Sequence, residues 1–297
     1  MTGAAQYQDG YWITEDGLRL HFRDYAGAKS DGPKSNGPKS KPPILCLPGL
    51  TRNARDFDVL VEKLAGDWRV ICVELRGRGE SAYSPTGMSY VPLIYLQDLE
   101  ALLAMLKIKR FIAIGTSLGG LLTMMLSASK PGRVVGAVLN DIGPVIEEAG
   151  LARIRSTVGK SQSWPTWVHA ARDLADQQSV VYPAFNLTDW VTLAKRFYRV
   201  TKAGRIVPDY DAKIAEPMRK PSEPVDLWPA FESLGGIPLA LIRGGTSDIL
   251  SAATHKEMAK RLPQAKAVTI ANVGHAPTLE EPAALKVILA MLKAVPE

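Results

Sequence analysis

The residues best able to do chemistry surround a serine, Gly115-Thr116-Ser117-Leu118-Gly119, which fits the G-x-S-x-G pattern of a nucleophile on a sharp strand-to-helix turn. They directly follow the apolar run 111–114 and lead into residues 121–126, which read as a buried helix. Such a turn strains the serine backbone and lifts its Oγ out of the sheet, so small residues must flank it where helix and strand meet. A hydroxyl is a weak nucleophile at neutral pH and needs a base within hydrogen-bond reach. Of the four histidines, His21 lies in an expected hairpin, His169 in a long insertion, and His255 on a helical stretch among Lys and Glu. His275 follows Gly274 in the loop after the apolar run 267–270, where a parallel sheet presents loop residues to a site at the carboxyl ends of its strands. It is the expected base.

An imidazole base needs an anion to fix its tautomer and to support the imidazolium. Asp248, in Gly244-Gly245-Thr246-Ser247-Asp248 just past the run 239–242, is the expected acid and gives the chain order Ser, Asp, His. Asp141, in Leu139-Asn140-Asp141 at the end of the preceding strand, is the alternative; it leads straight into the insertion, where an Asp serves equally to cap a turn. A tetrahedral intermediate also needs N–H donors for its oxyanion. Leu118, one residue past the serine, and Leu50, in the loop Leu47-Pro48-Gly49-Leu50-Thr51-Arg52 after the first parallel strand, are the expected backbone donors. Arg52 in the same loop and Trp164, Trp167 and Trp190 of the insertion are expected to line the substrate pocket.

The elements that must position these residues are short apolar runs alternating with amphipathic stretches, the mark of a parallel sheet covered by helices. Residues 11–25 predict a β-hairpin turning at Asp16-Gly17, and runs at 44–47, 70–75, 111–114, 134–139, 239–242 and 267–270 predict six further strands. Between them, Phe57, Leu60, Val61 and Leu64, then Leu93, Leu96, Leu99, Leu102, Leu103 and Leu106 behind Pro92, recur at helical spacing. A last helix carries Leu285, Ile288, Leu289 and Leu292 behind Pro282. The fold class is therefore α/β, with a core over residues 1–142 and 237–297. Residues 143–236 hold helical stretches without a βα repeat, and four of the six tryptophans, and predict an inserted helical cap. Residues 27–41, with Gly-Pro-Lys-Ser twice, predict a flexible surface loop.

Composition narrows the function. A chain of 297 residues, 46% hydrophobic, can bury a large core. Of the net charge of +6, Lys29, Lys34, Lys39 and Lys41 against Asp31 supply half in one polar segment, and no basic stripe interleaved with aromatics points to nucleic acid. Residues 1–10 show no basic head before an apolar run, and the uncharged stretch 111–129 is broken by Gly115, Gly119 and Gly120; neither a leader nor a membrane span is expected, and the expected location is cytoplasmic. Cys46 and Cys72 sit in β-like runs and are expected as buried free thiols. No H-E-x-x-H, Cys/His cluster or strand-following G-x-G-x-x-G calls for a metal or cofactor.

With Pro48-Gly49, Glu74-Leu75-Arg76-Gly77-Arg78-Gly79-Glu80-Ser81, the serine pentapeptide, Ser247-Asp248 and Gly274-His275 in this order, the chain resembles the α/β-hydrolase superfamily over nearly its whole length. In style it is similar to the capped esterases, enol-lactonases and C–C hydrolases. The resemblance implies an α/β-hydrolase fold, a mostly parallel sheet flanked by helices, and a serine hydrolase that needs no cofactor. Where the family's oxyanion loop carries His-Gly, Pro48 replaces the His; the Leu50 donor survives, and any role of that His does not transfer. Glu74 stands where the family has Asp, and is taken as structural. Ser117 disfavours the relatives with an Asp nucleophile. The expected reaction is hydrolysis of an ester or lactone through an acyl-enzyme, and the aromatic content of the insertion, its tryptophans above all, adds the expectation of a small to medium, largely apolar substrate. The alternatives are C–C hydrolysis of a diketone-like compound with the same residues, and a non-catalytic ligand-binding protein on this fold.

Overall fold

A run of four apolar residues between polar turns is too short for a stable helix and can be buried on both faces of a sheet. In the computed structural model, which describes residues 5–27, 41–219 and 225–296, the runs at 44–47, 111–114 and 239–242 lie there, whereas 267–270 forms a largely exposed edge strand. In chain order, β1 (Gln8–Ile13) and β2 (Arg19–Tyr25) form a hairpin. Then β3 (Ile44–Leu47), α1 (Asp58–Leu64), β4 (Val70–Glu74), α2 (Pro92–Met105), β5 (Phe111–Thr116), α3 (Leu118–Ser129) and β6 (Val134–Asn140) alternate. The segment after β6 holds α4 (Glu148–Thr157), α5 (Trp167–Gln178), α6 (Leu187–Phe197), β7 (Tyr198–Val200), β8 (Ile206–Pro208) and α7 (Trp228–Glu232). The chain then returns through β9 (Leu239–Gly244), α8 (Ala252–Arg261), β10 (Lys266–Ile270) and α9 (Pro282–Lys293).

One eight-stranded sheet runs in the order β1-β2-β4-β3-β5-β6-β9-β10. Only β1 with β2 and β2 with β4 pair antiparallel; from β4 to β10 every pair is parallel. This is the mostly parallel, helix-flanked sheet expected from the alternating runs. Strand periodicity divides the core: Leu45, Leu47, Ile71 and Val73 pack with α2 and α3, while Ile44, Cys46, Val70 and Cys72 pack with α1 and α9. Cys46 and Cys72 are register partners on β3 and β4, buried and free. Among the described residues, no helix is long and apolar enough to cross a membrane.

The segment between β6 and β9 departs from the expected form in two ways. It is not wholly helical: β7 and β8 form an antiparallel ribbon. Its apolar residues also divide between two cores. Trp164, Leu174, Tyr182, Trp190, Phe197 and Ile206 make a cluster of their own, whereas Phe231, Leu234 and the flanking Trp228 join the sheet's main core beside α3. The stretch from Trp228 onward is thus packed as part of the body of the molecule. Most of the expected 27–41 loop, residues 28–40, lies outside the described residues.

Candidate active site

The serine turn is built by close packing. Ser117 has φ 51° and ψ −115°, a left-handed backbone that a side chain seldom adopts, between the end of β5 and the start of α3. A Cβ on Gly119 would stand 1.9 Å from the Leu47 carbonyl oxygen of β3, so only glycine lets α3 begin this close to the sheet. The Ser117 N–H donates to the Asn140 carbonyl at 2.9 Å, fastening the turn to the end of β6.

Three side chains meet above this turn. His275 Nε2 lies 2.9 Å from Ser117 Oγ, and His275 Nδ1 lies 2.7 Å from Asp141 Oδ2. The expected acid must be corrected: Asp248 does not bond His275, and the alternative, Asp141, does. Two physical causes separate them. Asp141 stands one residue beyond β6 with φ 56°, which turns its fully buried carboxylate inward under the His275 loop. There it also accepts from the Gly244 N–H at 2.7 Å and the Ser247 hydroxyl at 2.6 Å, so three donors hold it in one orientation. Asp248 is taken by Arg153 of α4, whose Nε and Nη2 reach its two oxygens at 2.5 and 2.8 Å. The Arg153 hydrogen bonds hold the Asp248 carboxyl below its usual range. The helix can reach this far because Gly150 has no side chain: a Cβ there would stand 2.4 Å from the Asp248 carbonyl oxygen.

Leu50 lies in the cleft wall beside Ser117, and Leu118 opens α3 at its foot. Among the described residues, neither Leu50 N–H nor Leu118 N–H donates to another group. Two further residues position this machinery and were missed from sequence. Arg78, fully buried, donates from Nε to the Leu50 carbonyl at 2.8 Å and from Nη1 to Tyr95 Oη at 3.0 Å, pinning the loop that carries Leu50. Asn140 donates to the Pro277 carbonyl at 2.8 Å and to Thr116 Oγ1 at 3.1 Å, tying the histidine loop to β5 and β6. Arg78 was visible only as part of an Arg-Gly-Arg-Gly motif, and Asn140 only as the neighbour of Asp141.

The cleft over Ser117 holds about 130 Å³. Arg52 lines it together with Arg153 and Arg196. The tryptophans do not: Trp164 and Trp190 are buried in the insertion's own cluster with Trp167 packed against it, and the insertion meets the cleft instead through Ile154, Thr157, Gln178 and Leu193. Large aromatic rings stabilise this small separate core by burial, which uses up the surface that a ligand would have met. Among the described residues, no group of three His, Cys, Asp or Glu is arranged to hold a metal ion.

A mostly parallel sheet with a strained serine at the end of β5, facing a histidine from the loop after its last strand, defines an α/β-fold hydrolase by architecture. The sequence agrees: residues 44–286 match the model of the alpha/beta hydrolase family, and the chain belongs to that family. A crystal structure of an alpha/beta hydrolase from Novosphingobium aromaticivorans is 53% identical and superposes with a TM-score of 0.92 over 99% of this chain and 100% of that one. The 3-hydroxybutyrate-oligomer hydrolase of Cupriavidus necator is 31% identical over 82% of this chain and 86% of its own length. The sn-1-specific diacylglycerol lipase of Mus musculus is 30% identical over 79% of this chain and 75% of its own.

Proposed function

We propose that the protein hydrolyses carboxylic esters, lactones included, through an acyl-enzyme on Ser117, with His275 as general base and Asp141 as the acid that orients it. The observation that carries this reading is the unbroken line from the Ser117 hydroxyl through His275 to Asp141, at 2.9 and 2.7 Å. His275 Nε2 takes the hydroxyl proton as Ser117 Oγ bonds to the acyl carbon, and the carbonyl oxygen becomes an oxyanion facing the N–H groups of Leu50 and Leu118. The imidazolium then gives its proton to the departing alkoxide. Water, deprotonated by the same imidazole, attacks the acyl-serine, and the carboxylic acid leaves with Ser117 restored. The insertion acts as a cap that supplies the outer wall of the cleft. Relatives named as an oligomer hydrolase and a lipase support acyl chemistry.

A fluorophosphonate probe is expected to label Ser117, and a panel of short acyl esters is expected to include substrates. Ser117→Ala should abolish labelling and lower turnover by about a thousandfold or more. Absence of labelling at Ser117 would favour a ligand-binding role over catalysis. Labelling without turnover of any ester, but with cleavage of a vinylogous diketone, would move the reaction to a C–C bond.

A further inference from the structure

Three guanidinium groups line the cleft over Ser117, and two are engaged. Arg153 gives two N–H groups to Asp248, and Arg196 pairs with Glu280. Arg52 is the exception. Among the described residues its side chain makes no hydrogen bond, and its one ion-pair partner, Asp56, stands 3.7 Å from Nη1, beyond hydrogen-bond distance. Its other contact is with Phe197 at the end of α6, where Cζ sits 3.1 Å from the ring centroid. A contact that close engages the face of the guanidinium. The five N–H donors lie in its plane and stay available, while the ring limits where the head group can swing.

Arg52 and the serine also frame one spot. The Arg52 Cγ and the Ser117 Cβ lie 3.4 and 3.8 Å from the point where a Cβ on Gly49 would stand. The Arg52 side chain is 20% exposed, so its charge is largely desolvated beside the nucleophile with its planar fork unfilled. The group that matches such a fork is a planar, bidentate anion.

From this geometry we infer that Arg52 is a specificity residue that receives a substrate carboxylate a few bonds from the scissile carbonyl, so that the substrates are short esters carrying a free acid, such as hydroxy-acid oligoesters. This rests on the acyl-transfer reading above for the reaction, and replaces the largely apolar substrate expected from the tryptophans. The printed name of the Cupriavidus necator relative, a 3-hydroxybutyrate-oligomer hydrolase, describes a substrate of this class.

The test uses the 3-hydroxybutyrate dimer with a free carboxylate and its uncharged terminal primary amide. Wild-type protein is expected to prefer the acid by about tenfold or more in kcat/KM, the size of a charge-assisted hydrogen-bond pair. Arg52→Gln should bring the ratio near one, with Arg52→Lys between the two because it keeps the charge and loses the fork. If Arg52 served only to stack on Phe197, its replacement would slow both dimers alike and leave the ratio unchanged; that result, or no preference in the wild type, overturns the assignment. Calorimetry on Ser117→Ala, with and without Arg52→Gln, separates this inference from the reaction. An Arg52-dependent preference in binding without turnover by the wild type would sink the hydrolase reading and leave the carboxylate site standing. Equal binding of acid and amide, or binding of neither, would remove the site whatever the activity.

Discussion

Two carboxylates end neighbouring parallel strands near His275, and their surroundings give them different work. Asp141 is fully buried and hydrogen-bonded to the imidazole, whereas Asp248 is about one-third exposed and held by a guanidinium. Loss of charge at Asp141 leaves the imidazole without the acceptor that fixes its tautomer, so Asp141→Asn is expected to lower kcat by about a thousandfold to ten thousandfold. Asp248→Asn removes only a partly exposed pair with Arg153, and kcat should stay within about tenfold of the wild type. Steady-state kinetics on both variants decides between them: equal losses, or a larger one at Asp248, would return the acid to the loop after β9. Sequence alone could not make this choice, because both residues follow strands of the same pattern. What decides it is a positive φ at Asp141 and an arginine from α4, and neither has a local signature.

The serine turn depends on how near α3 comes to β3 and β5. Gly119→Ala puts a methyl group 1.9 Å from a backbone carbonyl that cannot give way, so either the helix start or β3 must move. A loss of about 3 kcal/mol or more in unfolding free energy is expected, at the upper end of overpacking costs, and chemical denaturation would read it. Any folded fraction should also label poorly with a fluorophosphonate, since Ser117 and Leu118 begin the displaced helix; normal stability with normal labelling would contradict the packing argument. At this scale the sequence was most legible. Strands such as Ile44–Leu47 and Phe111–Thr116 announced themselves as apolar runs bounded by turns, and Pro92 and Pro282 marked helix starts that α2 and α9 bear out. The ribbon of β7 and β8 was missed because each strand has only three residues, with Arg199 and Val200 exposed, too few to show an alternation. The tryptophans misled for a related reason: hydrophobicity predicts that a ring is buried, and says nothing of whether a core or a ligand covers it.

Across the whole molecule, the antiparallel edge is clipped to the parallel sheet by a buried polar pair on adjacent strands. His21 of β2 lies opposite Glu74 of β4, and its Nδ1 is 2.9 Å from Glu74 Oε2 while Nε2 is 2.8 Å from Asp9 of β1. Glu74 also accepts from the N–H groups of Ala54 and Glu80, which joins the segments that follow β3 and β4. Burial pushes the His21 imidazole down, but the hydrogen bond and charge of Glu74, and then those of Asp9, outweigh it, and the net shift is upward. At Glu74 burial pushes up, and the hydrogen bonds from His21 and the Glu80 N–H outweigh it, so the net shift is downward. The signs set the window. A raised His21 stabilises the fold fully below the ordinary imidazole value of about 6.5, and this is lost as pH rises through the folded value; a lowered Glu74 contributes above about 4.3 and is lost as pH falls through its own. The gap in unfolding free energy, read by urea denaturation, between wild type and His21→Gln should therefore be widest between about pH 4.5 and 6.5 and narrow toward pH 9, by no more than about 1.4 kcal/mol per pH unit for one proton. Lost packing lowers the variant by a constant amount at every pH, so the slope alone reports the charge. A gap that stays level or widens above pH 7 would mean that His21 is held neutral, and that the edge hairpin is joined to the sheet by its backbone ladder and the Trp12 and Phe22 side chains instead.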